Sequence, residues 1–105
     1  MTTIRFYRDG DRLSGFVCQG HSGYAPAGED IVCAAVSSSV TLVECIINDV
    51  YHTGAEVTVK NQGARISLTL PSGSHEGCQG ALTGFLLCMK ELQREYPEHL
   101  TVLEV

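Results

Sequence analysis

The sequence has little positive charge. It holds seven Lys or Arg in 105 residues, against twelve Asp or Glu, for a net charge of −5. The seven, Arg5, Arg8, Arg12, Lys60, Arg65, Lys90 and Arg94, are scattered along the chain. Affinity for phosphate backbones needs grouped cations, so direct nucleic-acid binding is not expected. An acidic surface attracts a basic protein or peptide instead. There is no tryptophan, and no CxxC pair among the five cysteines at 18, 33, 45, 78 and 88. An odd count without that pairing argues against a disulfide framework and against a dithiol redox centre. It fits free thiols in a reducing compartment. His75 and Cys78 could form half a zinc site, but no second pair matches them, so no metal is expected. No phosphate loop, dinucleotide fingerprint or paired-carboxylate pattern is present, so no cofactor is expected. No uninterrupted run reaches the roughly 18–20 apolar residues of a membrane span. The first residues, MTTIRFYRDG, lack the apolar core of a secretion signal. The expectation is a cytoplasmic protein that does not enter membranes.

What is present fits one domain over residues 1–105, with an ordinary apolar fraction of 44%. Thr2–Tyr7 alternates, with Ile4 and Phe6 on one face, and predicts a strand. Asp9-Gly10 marks a turn, and Leu13–Gly20 the returning strand. Ile31 to about His52 is apolar on most of its circumference, as in a central buried helix, with Thr53-Gly54 ending it. Glu56–Lys60 and Arg65–Leu70 alternate around Asn61-Gln62-Gly63 and predict a second hairpin. A second helix is expected from about His75 to Tyr96, stopped by Pro97, and Leu100–Val105 is a last strand. The order ββαββαβ predicts an α+β two-layer domain: a mostly antiparallel five-stranded sheet with both helices on one face.

The chemistry concentrates in GHSGYAPAGEDIVCAAVSSS, Gly20 to Ser39. Gly20, Gly23, Pro26 and Gly28 forbid regular structure, so His21 sits on a mobile or specially shaped loop. Asp30 is a good helix N-cap, which puts Cys33 in the first turn. At about 100° per residue, Cys33, Ser37 and Glu44 share a narrow polar stripe on an apolar helix. A helix N-terminus and a nearby imidazole both favour a thiolate, the nucleophilic form of cysteine. Free cysteines are also among the most buried residues, so a structural Cys33 stays open. His21 is either an exposed turn residue or a functional one, as the general base or as the imidazolium partner of a thiolate. Asp30 either caps the helix or orients His21 as a third triad member. Ser37 either bonds back to a main-chain carbonyl or positions a group in the site. Cys18, Cys45 and Cys88 read as small apolar fillers, and His52 and His99 carry no signal.

Over this segment the chain resembles the ribosomal-processing cysteine protease family, Prp. The match is carried by Gly20-His21, by Gly23 and Gly28, and by Asp30-Ile31-Val32-Cys33-Ala34-Ala35-Val36-Ser37. Ser22 stands where alanine is common in that family. The length and element order also fit, so the resemblance covers essentially the whole chain. It implies a homodimeric endopeptidase that removes a short N-terminal extension from a large-subunit ribosomal protein, the twenty-seventh in standard naming. It further implies Cys33 as nucleophile, His21 as its partner, Asp30 and Ser37 in support, and Gly20–Gly28 as a mobile loop over the site. Two other readings stay open. One is a non-catalytic ribosome-assembly or ribosome-associated factor with a structural cysteine, and the other a thiol-transfer protein.

Overall fold

The computed structural model describes residues 1–26 and 28–105. Its elements follow the expected order: β1 (Thr2–Asp9), β2 (Arg12–Gln19), α1 (Ile31–Glu44), β3 (Glu56–Lys60), β4 (Arg65–Thr69), α2 (Gly77–Glu95) and β5 (Leu100–Glu104). The strands form one mixed sheet in the order β3-β4-β2-β1-β5. Four strands pair antiparallel, and β5 lies parallel to β1 with Thr2 opposite Leu100. The first hairpin turns one residue later than Asp9-Gly10 suggests. Asp9 pairs with Arg12, and Gly10, at φ +64°, leads the two-residue turn.

Alternation along β1 puts Thr2, Ile4 and Phe6 on the buried face, and β2 adds Leu13, Phe16 and Cys18 to it. Phe6, Phe16 and Phe85 of α2 meet there, with ring centroids 4.8–6.2 Å apart. Val32, Val36, Val40 and Val43 of α1 close the same core. Gln79 ties α2 to β2 at both polar ends of its amide: its Oε1 accepts from the Leu13 N–H and its Nε2 donates to the Leu13 carbonyl, each at 2.8 Å.

The first helix departs from expectation after Glu44. Cys45–Val50 continues as a wide π turn, in which the Tyr51 N–H donates to the Ile46 carbonyl five residues back. The chain leaves it through His52, at φ +48°, and Asn48 holds the exit by bonding both backbone groups of Ala55. Averaged over 18 residues, Ile31–Val50 has a mean hydropathy of 1.8, as apolar as a membrane span by length and composition. Polar residues interrupt every run within it, which is why no continuous stretch shows this. The valine stripe and Ile47 are spent on the core. α2 starts at Gly77 rather than His75, and stops before Tyr96 because a residue preceding proline is driven out of the helical region.

Candidate active site

β2 delivers the chain to Gly20, which is fixed from three sides. Its N–H donates to the carbonyls of Gly63 and Ala64, and its carbonyl accepts from Thr2 Oγ1. It lies at φ +91°, and a Cβ there would sit 2.6 Å from the Met1 carbonyl oxygen. Only glycine fits both demands. His21 follows directly and is exposed.

Asp30 is the N-cap of α1, with extended backbone at φ −85°, ψ 103°. Its Oδ1 accepts from the Cys33 N–H at 2.9 Å. Its Oδ2 accepts from Ser22 Oγ at 2.5 Å, from the Tyr24 N–H at 3.1 Å and from the Ala25 N–H at 3.3 Å. Burial opposes charge on this carboxyl, but the bonds from Ser22, Cys33 and Ala25 outweigh it and hold Asp30 far below the usual carboxylate range. No hydrogen bond joins Asp30 to His21 among the described residues. In this arrangement the carboxylate caps the helix and clamps the loop.

Cys33 is half-buried in the first turn, and its sulfur accepts from the Ser22 N–H at 3.4 Å. The helix start adds its positive dipole end at the same place. Cys33 opens into a cleft of about 780 Å³ that brings together His21, Asp30, Ser37, Gly20, Gly23 and Gly28. Every residue picked from the sequence for this site thus lies on one cavity. Ser37 is exposed and makes no side-chain hydrogen bond to a described residue, whereas Ser39, two places on, bonds back to the Ala35 carbonyl. The polar stripe reaches the cleft through Ser37 and Thr41, and Glu44 does not join them. Much of the remaining wall is apolar, with Val36, Val40, Ile66 and Cys18 among it. Burial pushes the Cys18 thiol up to about 12, so it stays protonated at neutral pH.

The loop is less free than its glycines suggest. Gly20 is pinned to the turn between β3 and β4 and to Thr2 of β1, and Ser22, Tyr24 and Ala25 are held by Asp30. Tyr24 packs edge-on against Tyr96 and His99, and His99 Nδ1 lies 3.0 Å from the Ser22 carbonyl. Ala27, inside the expected mobile loop, lies outside the described residues. Sequence reasoning missed Ser22 and His99. A serine between glycines reads as exposed, yet Ser22 is 1% exposed, and only the fold brings residue 99 to it. His75 and Cys78 form no metal centre: His75 stacks on Tyr51, Cys78 is fully buried against Thr53, and no cluster of three or more metal-ligating side chains occurs among the described residues.

A thiol at a helix start, a histidine on the facing loop and a cleft between them, on a mixed five-stranded sheet, are the parts of a cysteine hydrolase. The family described as Cysteine protease Prp matches residues 1–101, and the chain belongs to it: it is a cysteine protease. A ribosomal processing protease Prp from S. aureus, in complex with a covalently linked product peptide, superposes with a TM-score of 0.92 at 19% identity over the whole of both chains. The same S. aureus protease with a substrate peptide gives 0.87 at 18% identity, again over the whole of both chains. SMU.848 from Streptococcus mutans gives 0.88 at 25% identity, covering all of this chain and 94% of the other. No curated protein matches the sequence.

Proposed function

We propose that this protease removes the short N-terminal extension of a large-subunit ribosomal protein, the twenty-seventh in standard naming. It acts in the cytoplasm as a homodimer of single-domain chains, without metal or cofactor and without holding nucleic acid itself. The observation that carries this reading is the convergence of Cys33 and His21 on one cleft in a Prp-family chain. It is supported by the S. aureus relative, described as an essential ribosomal processing protease and seen with a substrate peptide. The net charge of −5 suits a basic substrate such as a ribosomal protein. Ile31, Leu42 and Val50 along the first helical segment and Leu87 on α2 leave apolar surface exposed, which favours self-association.

The extension lies along the apolar wall of Val36, Val40 and Ile66, with Ser37 and Thr41 at the rim. The Cys33 thiolate attacks the scissile carbonyl, and main-chain amides near the start of α1 stabilise the tetrahedral oxyanion. His21 gives its proton to the departing amine, leaving a thioester on Cys33. Water, deprotonated by His21, then releases the new carboxylate and restores the Cys33 thiolate beside the reprotonated His21. The test uses the extended ribosomal protein as substrate for wild type and Cys33→Ser, with products weighed by mass spectrometry. Wild type should shorten it by one N-terminal fragment, and Cys33→Ser should leave it whole. An uncut substrate with wild type, or cutting by Cys33→Ser, overturns the reading.

A further inference from the structure

Ser22 joins the histidine loop to the cysteine helix by its side chain, beside the main-chain bonds that Tyr24 and Ala25 make to Asp30. It is 1% exposed, and all of its polar atoms are engaged. Its hydroxyl donates to Asp30 Oδ2 at 2.5 Å and accepts from the Tyr24 N–H at 3.2 Å. Its carbonyl faces His99 Nδ1 at 3.0 Å. Its N–H, with the other groups holding the residue in place, points at the Cys33 sulfur at 3.4 Å. We propose that Ser22 is a positioning residue: its hydroxyl locks the loop to Asp30, so that its own N–H is presented to the Cys33 sulfur and the adjoining His21 is set in the cleft. The inference rests on Cys33 being the nucleophile.

The physics favours a specific effect over a general one. A hydrogen bond to sulfur stabilises the thiolate more than the thiol, because charge assistance strengthens it. Asp30, one turn away and negative, opposes a second negative charge. An aimed N–H offsets that opposition where it is felt. The titratable groups that share the cleft with Cys33 are His21, Asp30 and Cys18. Removing the Ser22 hydroxyl leaves Oδ2 with the Tyr24 and Ala25 amides and Oδ1 with the Cys33 amide. The helix cap survives, the loop loses its side-chain tether, and the N–H loses its aim.

The experiment measures Cys33 alkylation by iodoacetamide across pH, and cleavage kinetics, in wild type, Ser22→Ala, Ser22→Thr and Ser39→Ala. Ser39 also makes a helix hydroxyl bond, but away from the sulfur. In Ser22→Ala, alkylation near pH 6.5 should slow about three- to tenfold, the worth of one hydrogen bond, and recover at alkaline pH. The rising limb of its pH–rate profile should move to higher pH, and kcat should fall about tenfold with KM within twofold. Ser22→Thr keeps the hydroxyl and should track wild type, as should Ser39→Ala. A Ser22→Ala profile that overlays wild type, or an equal loss in Ser39→Ala, overturns the role of Ser22 and leaves Cys33 as nucleophile. A wild-type Cys33 that reacts no faster than exposed Cys45 and Cys88 overturns both.

Discussion

The two helices begin with the same local device and reach opposite ends. In α1, Asp30 precedes Cys33 by three residues. In α2, His75 precedes Cys78 by three. In both, a side chain before the helix accepts from a first-turn amide: Asp30 from Cys33, and His75 Nδ1 from the Gly77 N–H at 2.8 Å. Both cysteines sit in the first turn at a positive dipole end. Cys33 faces a cleft, while Cys78 is fully buried with its sulfur 3.3 Å from Thr53 Oγ1. A helix start does not make a nucleophile by itself. What differs is the partner opposite: at α1 a loop that carries a histidine and an aimed N–H, at α2 the packed exit of the π turn.

The comparison breaks most sharply by exchange of roles. Cys33→Ser should lower cleavage by more than about 10³-fold, a loss typical of removing a nucleophile. Cys78→Ala should leave kcat within twofold and cost about 1–2 kcal/mol of stability in a urea melt, as a small core deletion does. If the cost and the activity loss fell the other way round, the roles would be wrongly assigned. His21→Ala should lower kcat about 10²–10⁴-fold, the usual range for a lost acid–base group, with Tm within a degree or two. His75→Ala should leave kcat alone and lower Tm by a few degrees, through loss of the Tyr51 stack and the Gly77 acceptor.

Thiol reactivity sharpens the contrast further. At pH 7 iodoacetamide should label Cys33 at least about tenfold faster than the exposed Cys45 and Cys88. Cys18 and Cys78 should react last. Cys18, pushed up to about 12, holds only about one thiolate in 10⁵ at neutral pH. Peptide mapping after short exposures gives the order.

The smallest effect expected is acid sensitivity. The native state holds Asp30 below its unfolded value, so its charge stabilises the fold above the unfolded carboxylate range near pH 4. That contribution is lost as pH falls through the native value. Asp30→Asn should therefore be less stable than wild type at pH 7, and the gap should shrink steadily below about pH 4. A gap that stays constant from pH 7 to pH 2 would show that the carboxylate charge contributes nothing.

The elements were legible because each carries a local period or stop. Ile4 and Phe6 alternate, Asp30 caps, Pro97 terminates. The chemical residues of the cleft were legible because they are close in sequence, from Gly20 to Ser37, whereas its wall was not, since the fold brings Cys18, Val40 and Ile66 to it. The π turn was not, since Cys45–Val50 is as apolar as the helix it continues and only the bond to Ile46 marks the change. Strand order was not, because no local pattern says that β5 lies beside β1. The partners of Asp30 were hidden for a related reason. A carboxylate can serve as cap or triad member on the same sequence, and the fold decides by bringing Ser22, not His21, to Oδ2.

The parallel pairing of β5 with β1 ties the catalytic loop to a distant strand. His99, one residue before β5, reaches Ser22 only when that strand has docked on Thr2–Phe6. Without that pairing the cysteine, the histidine and the helix cap remain, but the loop lacks the ring that touches Ser22 and Tyr24. The far edge of the sheet thus braces the back of the catalytic loop, and the order of the cleft is coupled to the pairing of β5 with β1.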